Sequence, residues 1–454
     1  MSEARGIVPD ASGPASASNS RHLALPLLLA AAVIAAARYY LIQCYGSAIP
    51  YMDQWDAEPP LFKAWLRGEW DWGHVFAAHN EHRIALTRVG ALCLFVMSGE
   101  WNPLHQMLLN LTLHTTTGVV LMFALFRTLP DLPRRAFAFA VATLLVSLPA
   151  GWENALWGFQ SQVYFSGLLA SLGILGLTLA PPLSFRWWGF LCVGGGALLG
   201  NAGGWLALPA AAFALLLART AFRGPHILAA SIVGIAAAGT WLLRVEVPYH
   251  EYLRARSVEQ FIRVFANMLA WPAVGNPLAA VVVQSPLVVW VYMQRRRKRL
   301  DATDCAAVGL LLWNVLQSAA VAYNRGNGLP DFEPHSRYQD PLILGTLAQV
   351  YALTRLLVLR VRALQVLAVV WIATVLLGAT ALSIQNLRRD IPHQRRLQEL
   401  GHRAITAYLN GETRTIDVHP HALHPTPDVV IRVLEDPVLQ PHLPAEVQRG
   451  GRTR

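Results

Sequence analysis

Residues 23–43 read LALPLLLAAAVIAAARYYLIQ. A run of this length approaches the ~20 residues that a helix needs to cross the hydrocarbon core of a bilayer. Before it, residues 1–22 are rich in Ser, Ala, Gly and Pro, a composition that buries little and is expected to stay disordered. Ala35-Ala36-Ala37 resembles the cleavage site of a secretory leader, but Tyr39 to Gln43 prolong the run beyond a usual leader core. A retained first helix is therefore expected.

Similar runs recur near 104–126, 136–150, 163–180, 187–200, 204–218, 227–243, 278–294, 305–323, 341–358 and 363–383. They predict an all-α membrane protein with about eleven crossings over residues 23–383. Composition agrees: 54% of the 454 residues are hydrophobic and only 14% are charged, against about 25% charged in a soluble domain. The formal charge of +10 sits largely in short loops between apolar runs, so it does not suggest a nucleic-acid partner. Cys44, Cys93, Cys192 and Cys305 are far apart, with no CxxC spacing, and indicate neither a zinc site nor a disulfide framework.

Charge orients the chain. With a cytoplasmic N-terminus, one set of loops holds Arg127, Arg134 and Arg135, then Arg186, Arg219 and Arg223, Arg295 to Arg299, and Arg355, Arg360 and Arg362. Short basic loops of this kind stay in the cytoplasm. The opposite loops, expected to be periplasmic in a bacterial inner membrane, are longer and hold most of the Asp, Glu, His, Asn and Trp. Residues 84–98 are apolar but short, and Arg88 interrupts them. An in-plane or re-entrant segment within a first outer loop at 47–103 is expected there. Residues 384–454 are polar and form an outer-face tail, either a small appendage or partly disordered.

The outer loops carry the chemistry. In the first, Asp53 and Asp56 stand three apart, a spacing that suits a divalent cation or a base acting on a hydroxyl, and equally a solvated helix cap. Leu61 to Leu66 form a short amphipathic segment that would set Phe62, Trp65 and Leu66 into the interface, with Trp55, Trp65, Trp70 and Trp72 as its aromatic belt. His79-Asn80-Glu81-His82-Arg83 is the densest polar cluster. Beside an apolar run such groups need partners, and Glu81 with Arg83 or His82 would supply a local network. His79 and His82 have a metal-compatible spacing, a weak signal without a further ligand.

In the second outer loop Glu153, Asn154, Gln160 and Gln162 alternate with aromatics, a mixture that suits carbohydrate or an ordinary interfacial loop. Asn201-Ala202-Gly203-Gly204-Trp205 reads as a tight hairpin turn. A helix at Val258–Trp271 is expected to lie at the interface. The last outer loop offers Arg325 and Arg337, the latter among Ser336, Tyr338 and Gln339. An outward Arg there pairs with a lipid phosphate or snorkels to headgroups.

With its single first helix, then Asp53-Gln54-Trp55-Asp56, Pro59-Pro60, an in-plane segment and many further helices, the chain resembles the C-type membrane glycosyltransferases (the GT-C superfamily), which use polyprenyl-phosphate sugars. The motif match covers only a few residues; family acidic residues are often adjacent, whereas here they are three apart. The resemblance implies Asp53, then Asp56, as catalytic base or metal contact, with Mg²⁺ or Mn²⁺ as the candidate ion. It implies Arg337 and Tyr338 near the donor phosphate, and His79 to Arg83, Glu153, Asn154, Gln160 and Arg325 as further substrate contacts. It implies an inverting transfer to a glycan, lipid or protein acceptor on the outer face of the inner membrane. No GxxxxGK[ST] sequence is present and no nucleotide cofactor is expected. A transporter or flippase of lipid-linked glycans and a non-catalytic assembly subunit are the alternatives.

Overall fold

The computed structural model describes residues 17–218, 224–329 and 333–450. Among them every regular element is helical, and the one extended pairing is an isolated bridge between His79 and His82. Eight helices are long and apolar enough to span a membrane: Leu23–Tyr45, Pro103–Phe126, Leu132–Leu156, Gly158–Leu179, Pro225–Leu242, Ala302–Gly328, Leu342–Leu359 and Arg362–Leu409. The chain is a membrane protein. Three other expected crossings form shorter or more polar helices, at Phe185–Gly196, Ala207–Ala218 and Ala279–Arg296. Arg219 and Arg223 lie outside the described residues.

The first helix begins at Ala17, inside the stretch 1–22 expected to be disordered, and residues 1–16 of that stretch lie outside the described residues. Arg38 of this helix is only 2% exposed and joins Asp340 at 2.8 Å, which makes the helix a working part of the bundle.

Polar side chains replace the backbone partners that lipid cannot supply. Pro286 lies inside the helix Ala279–Arg296, where it supplies no backbone donor. Around it Leu287 N donates to Gln349 Oε1 at 2.9 Å, Ser285 Oγ to Val282 O at 2.8 Å, and Trp371 Nε1 to Val283 O at 3.0 Å.

The tail after residue 384 folds. The helix Arg362–Gln385 passes through a π-helical turn, Asn386–Asp390, into Ile391–Leu409. The expected boundary therefore falls within continuous helix. Beyond it, Pro427–Leu434 packs Val430 and Leu434 against Trp55, Leu61, Phe62, Phe95 and Trp101 of the first loop. Loop and tail thus share one hydrophobic core, a cap on the Asp53 end of the bundle. This corrects the interfacial reading of Leu61–Leu66. Phe62 is fully buried and stacked on Phe95 at 4.4 Å, and Lys63 pairs with Asp436 at 2.5 Å. Trp55 is core as well, edge-on to Trp101, whereas Trp72 is 64% exposed. The apolar run at 84–98 becomes the helix Ala85–Ser98, beneath the cap and beside the helices Pro103–Phe126 and Ser161–Leu179. Its Arg88 is buried and donates to the Val75 and Ala77 carbonyls.

Candidate functional site

One helix organises the loops around the site. On Pro103–Phe126, Gln106, Asn110 and His114 recur every four residues, on one buried face. Gln106 reaches the first loop: its Oε1 accepts from Gln54 Nε2 at 2.8 Å and its Nε2 donates to Glu58 at 3.0 Å. Asn110 Nδ2 reaches the second loop, donating to the carbonyls of Asn154, Trp157 and Gly158. His114 Nε2 lies 2.9 Å from the Val146 carbonyl and 3.3 Å from Arg38. Sequence reading passed over this stripe, although its i, i+4, i+8 spacing was visible within an apolar run.

The second loop fixes the last one. Arg38 donates to Asp340 Oδ1 and to the Gly151 carbonyl, while Asp340 Oδ2 accepts from Tyr164 Oη at 2.7 Å and Asn154 Nδ2 at 3.2 Å. Gly151 is required here, because a Cβ would stand 2.0 Å from the Asp340 carboxyl. Glu153 Oε2 accepts from the Arg337 backbone N–H at 2.9 Å, and Asn154 Nδ2 donates to the Arg337 carbonyl at 3.0 Å. Glu153 and Asn154 therefore hold the turn that carries Arg337. Gln160 is buried, and Trp157 and Phe159 pack against each other in a small core with Ala57 and Ile84. Trp157 and Phe159 therefore turn toward a protein core, while Trp152 is half-buried.

Asp53 occupies the N-cap position of the helix Gln54–Ala57, yet its side chain makes no capping bond. It turns instead to His79, with Oδ2 3.3 Å from Nε2. Asp56 Oδ2 lies 3.7 Å from Nε2 of His424 in the tail, and Asp53 is also within electrostatic reach of that histidine. Among the described residues no group of three His, Cys, Asp or Glu side chains is placed to hold a metal ion. The donor set fits a dedicated Mg²⁺ or Mn²⁺ site poorly.

Within His79 to Arg83, Glu81 interacts with His82 as expected, and the cluster also ties the loops together. His79 and His82 exchange backbone bonds of 2.9 Å across a tight turn, with Asn80 at φ +49°. Asn tolerates that left-handed conformation better than most residues. His82 Nδ1 accepts from Ala202 N–H at 3.1 Å, so His79 and His82 serve different partners and share no ligand position. Glu81 pairs with Arg325 and with His250 at 2.9 Å. Burial alone would raise the Glu81 carboxyl, but His82 and Arg325 outweigh it and hold it down at about 2. Arg83 donates to the carbonyls of Phe76 and Leu243. Arg325 is thus neutralised within the protein.

Arg337 differs. Its guanidinium lies 5.2 Å from the Tyr338 ring centre, and its Nε is buried with no hydrogen-bond partner. Asp53 and Glu153 are the carboxylates within its electrostatic reach. Tyr51, which sequence reading did not single out, stands near Asp53, Glu153 and Arg337, with its phenol pushed up to about 12 chiefly by burial. Also missed was Glu58, a fully buried carboxyl that accepts from Trp101 Nε1 at 2.5 Å and that burial pushes up to about 7. The site therefore combines a carboxylate beside an imidazole, a protonated phenol and an incompletely satisfied guanidinium, from three segments of the chain.

No family model matches the chain, and no curated protein or solved structure matches it.

Proposed function

We propose that this protein is an inverting membrane glycosyltransferase that takes a sugar from a polyprenyl-phosphate donor. The observation that carries the reading is the placing of Asp53, paired with His79, within electrostatic reach of the under-satisfied Arg337 at one end of a membrane bundle. In the reaction, the acceptor hydroxyl oxygen attacks the anomeric carbon while Asp53 takes its proton. The bond from that carbon to the phosphate oxygen breaks on the opposite side, and polyprenyl phosphate leaves with its charge met by Arg337. His79 orients Asp53. No step passes through a metal ion.

The three shorter helices complete eleven crossings in this reading, and Ala85–Ser98, about 21 Å long at 1.5 Å per residue, stays on one side of the bilayer. The basic loops face the cytoplasm of a bacterial inner membrane, with the Asp53 end periplasmic. The acceptor is a glycan, lipid or protein reached from that side.

Arg38, inside the bundle, favours a second reading as a lipid-linked glycan transporter, since intramembrane charges often mark transport paths. Its pairing with Asp340 across the loop-anchoring network supports a scaffold instead. The test is transfer of label from a panel of polyprenyl-phosphate sugars to membrane glycans. Transfer by wild-type protein supports the enzyme. No transfer from any donor, with the protein well folded, overturns it.

A further inference from the structure

The chain leaves its last long apolar helix through the π-helical turn Asn386–Asp390, which carries Arg388 and Arg389. Such a turn closes i→i+5 bonds in place of i→i+4, and so shifts the helix faces on either side of it. It is held from inside the protein: Asn386 is buried, and its Nδ2 donates to the Pro149 carbonyl at 3.0 Å. Just beyond, Ile391 is buried in a core with Leu41 and Ile42 of the first helix, and Arg395 donates to the Cys44 carbonyl. Contacts that advance together along both segments show that the two helices run side by side in the same direction. At about 1.5 Å per residue, Arg388 and Arg389 then stand level with Tyr39 and Tyr40. Both tyrosines are exposed, as are Ile384 and Leu387 beside the arginines. Apolar side chains, then aromatic rings and cations, are the composition of a bilayer interface.

These two arginines are not spent on the protein. Arg388 takes part in no ion pair among the described residues, and Arg389 is 84% exposed, with Asp390 at 3.9 Å. Arg395, by contrast, is committed to Glu399 at 3.1 Å and to Cys44. Nor does membrane orientation explain them. They lie at the end of the first helix that leads to Asp53, the end that the proposed topology makes periplasmic. Cations within about 15–20 residues of a crossing oppose that orientation. Guanidinium groups kept there against the charge bias call for a compensating anion. The phosphate of a lipid headgroup lies at the same depth, and the planar fork of Arg suits its oxygens.

We propose that Arg388 and Arg389 bind the headgroup of an anionic phospholipid in the outer leaflet. The choice of leaflet rests on the topology proposed above; the site itself rests on neither that topology nor the transferase reading. The rival occupant is an acidic glycan. It would also engage Arg396 and Arg403, which continue along the exposed side of the helix, Arg403 about 22 Å beyond Arg388 and out of reach of a headgroup. The apolar rim of Ile384 and Leu387 favours the lipid.

The test reads the lipid locally. A bimane fluorophore is attached at Leu387→Cys in full-length protein carrying Cys44→Ser, Cys93→Ser and Cys192→Ser; Cys305 is buried. The protein is reconstituted in phosphatidylcholine bilayers. Quenching by dibrominated phosphatidylglycerol is compared with quenching by dibrominated phosphatidylcholine at equal mole fraction. Both leaflets carry the lipid, so neither a reversed topology nor a missing transferase activity alters the outcome. Phosphatidylglycerol is expected to bind roughly five- to twentyfold more strongly at this position, and the preference is expected to fall to roughly twofold or less in Arg388→Gln/Arg389→Gln. Arg396→Gln/Arg403→Gln should leave it unchanged. All these arginines are exposed, so the variants keep the fold, which thermal unfolding verifies. A preference that survives Arg388→Gln/Arg389→Gln, or no preference in the parent protein, overturns the proposal. Loss of the preference in Arg396→Gln/Arg403→Gln, or displacement of the lipid by soluble polygalacturonate, assigns the patch to an acidic glycan and overturns the lipid assignment.

Discussion

Asp53 Oδ2 lies 3.3 Å from His79 Nε2, although the N-cap position of Asp53 would ordinarily commit that carboxylate to the backbone of its own helix. Releasing a cap side chain forgoes about 1 kcal/mol. The carboxylate thereby gains an imidazole partner and a place near Arg337. Asp56, one turn on, is engaged by His424 instead. The two acids of one motif pair with different histidines and are expected to have separate roles.

Asp53→Asn should lower the initial rate of sugar transfer by roughly 10²- to 10⁴-fold, the usual contribution of a general base. Asp56→Asn should cost less than about tenfold, because it loosens a contact to the tail and leaves the base in place. Rates measured at matched expression check this. A larger loss at Asp56 would reverse the assignment.

The Arg38–Asp340 pair is 2–3% exposed, and removing either partner strands a buried charge. Asp340→Asn should destabilise the protein by about 3–5 kcal/mol, and Arg38→Met combined with Asp340→Asn by clearly less than the sum of the single effects. Unfolding of purified protein in detergent gives the comparison. Additive losses would show that the two side chains act independently.

Gly151→Ala should damage the same network by a different route. The new methyl group would overlap the Asp340 carboxyl, which Arg38, Tyr164 and Asn154 hold from three sides. A loss of about 1–3 kcal/mol is expected. Asp340→Ala in the Gly151→Ala background should remove the overlap. If the Gly151→Ala variant proves as stable as wild type, the proposed crowding is wrong.

Glu58 sets a pH dependence. Its folded value of about 7 lies above its ordinary value of 4.5, so the folded protein binds this proton more tightly than the unfolded chain does. The stabilisation is complete below pH 4.5 and is lost as pH rises through 7, by about 3 kcal/mol in all. Glu58→Gln, neutral throughout, should flatten the fall in Tm between pH 5 and 8. A wild-type slope that persists in this variant would assign the effect to another group.

The helical membrane class was legible in the sequence because lipid imposes a one-dimensional constraint. A crossing must be apolar over a fixed length, and length and composition can be read without neighbours. The long polar loops carrying Asp53, His79–Arg83 and Arg337 were also visible, since hydropathy separates them from the crossings. The partners of those residues were not visible. Glu81 meets Arg325, Glu153 meets the backbone of Arg337, and Asp56 meets His424, each across a large sequence distance. Only the packing of the helices decides such pairings. The burial of Phe62 and Trp55 escaped for a similar reason: an amphipathic segment reads alike whether its apolar face meets lipid or a folded tail, and here Val430 and Leu434 occupy the place expected for lipid. The sequence alone determined that long apolar helices alternate with polar loops. The tertiary structure decided which polar residues are spent on holding the loops together, and left Arg337 with an unpaired Nε, because hydrogen bonds and ion pairs depend on distances that chain order does not set.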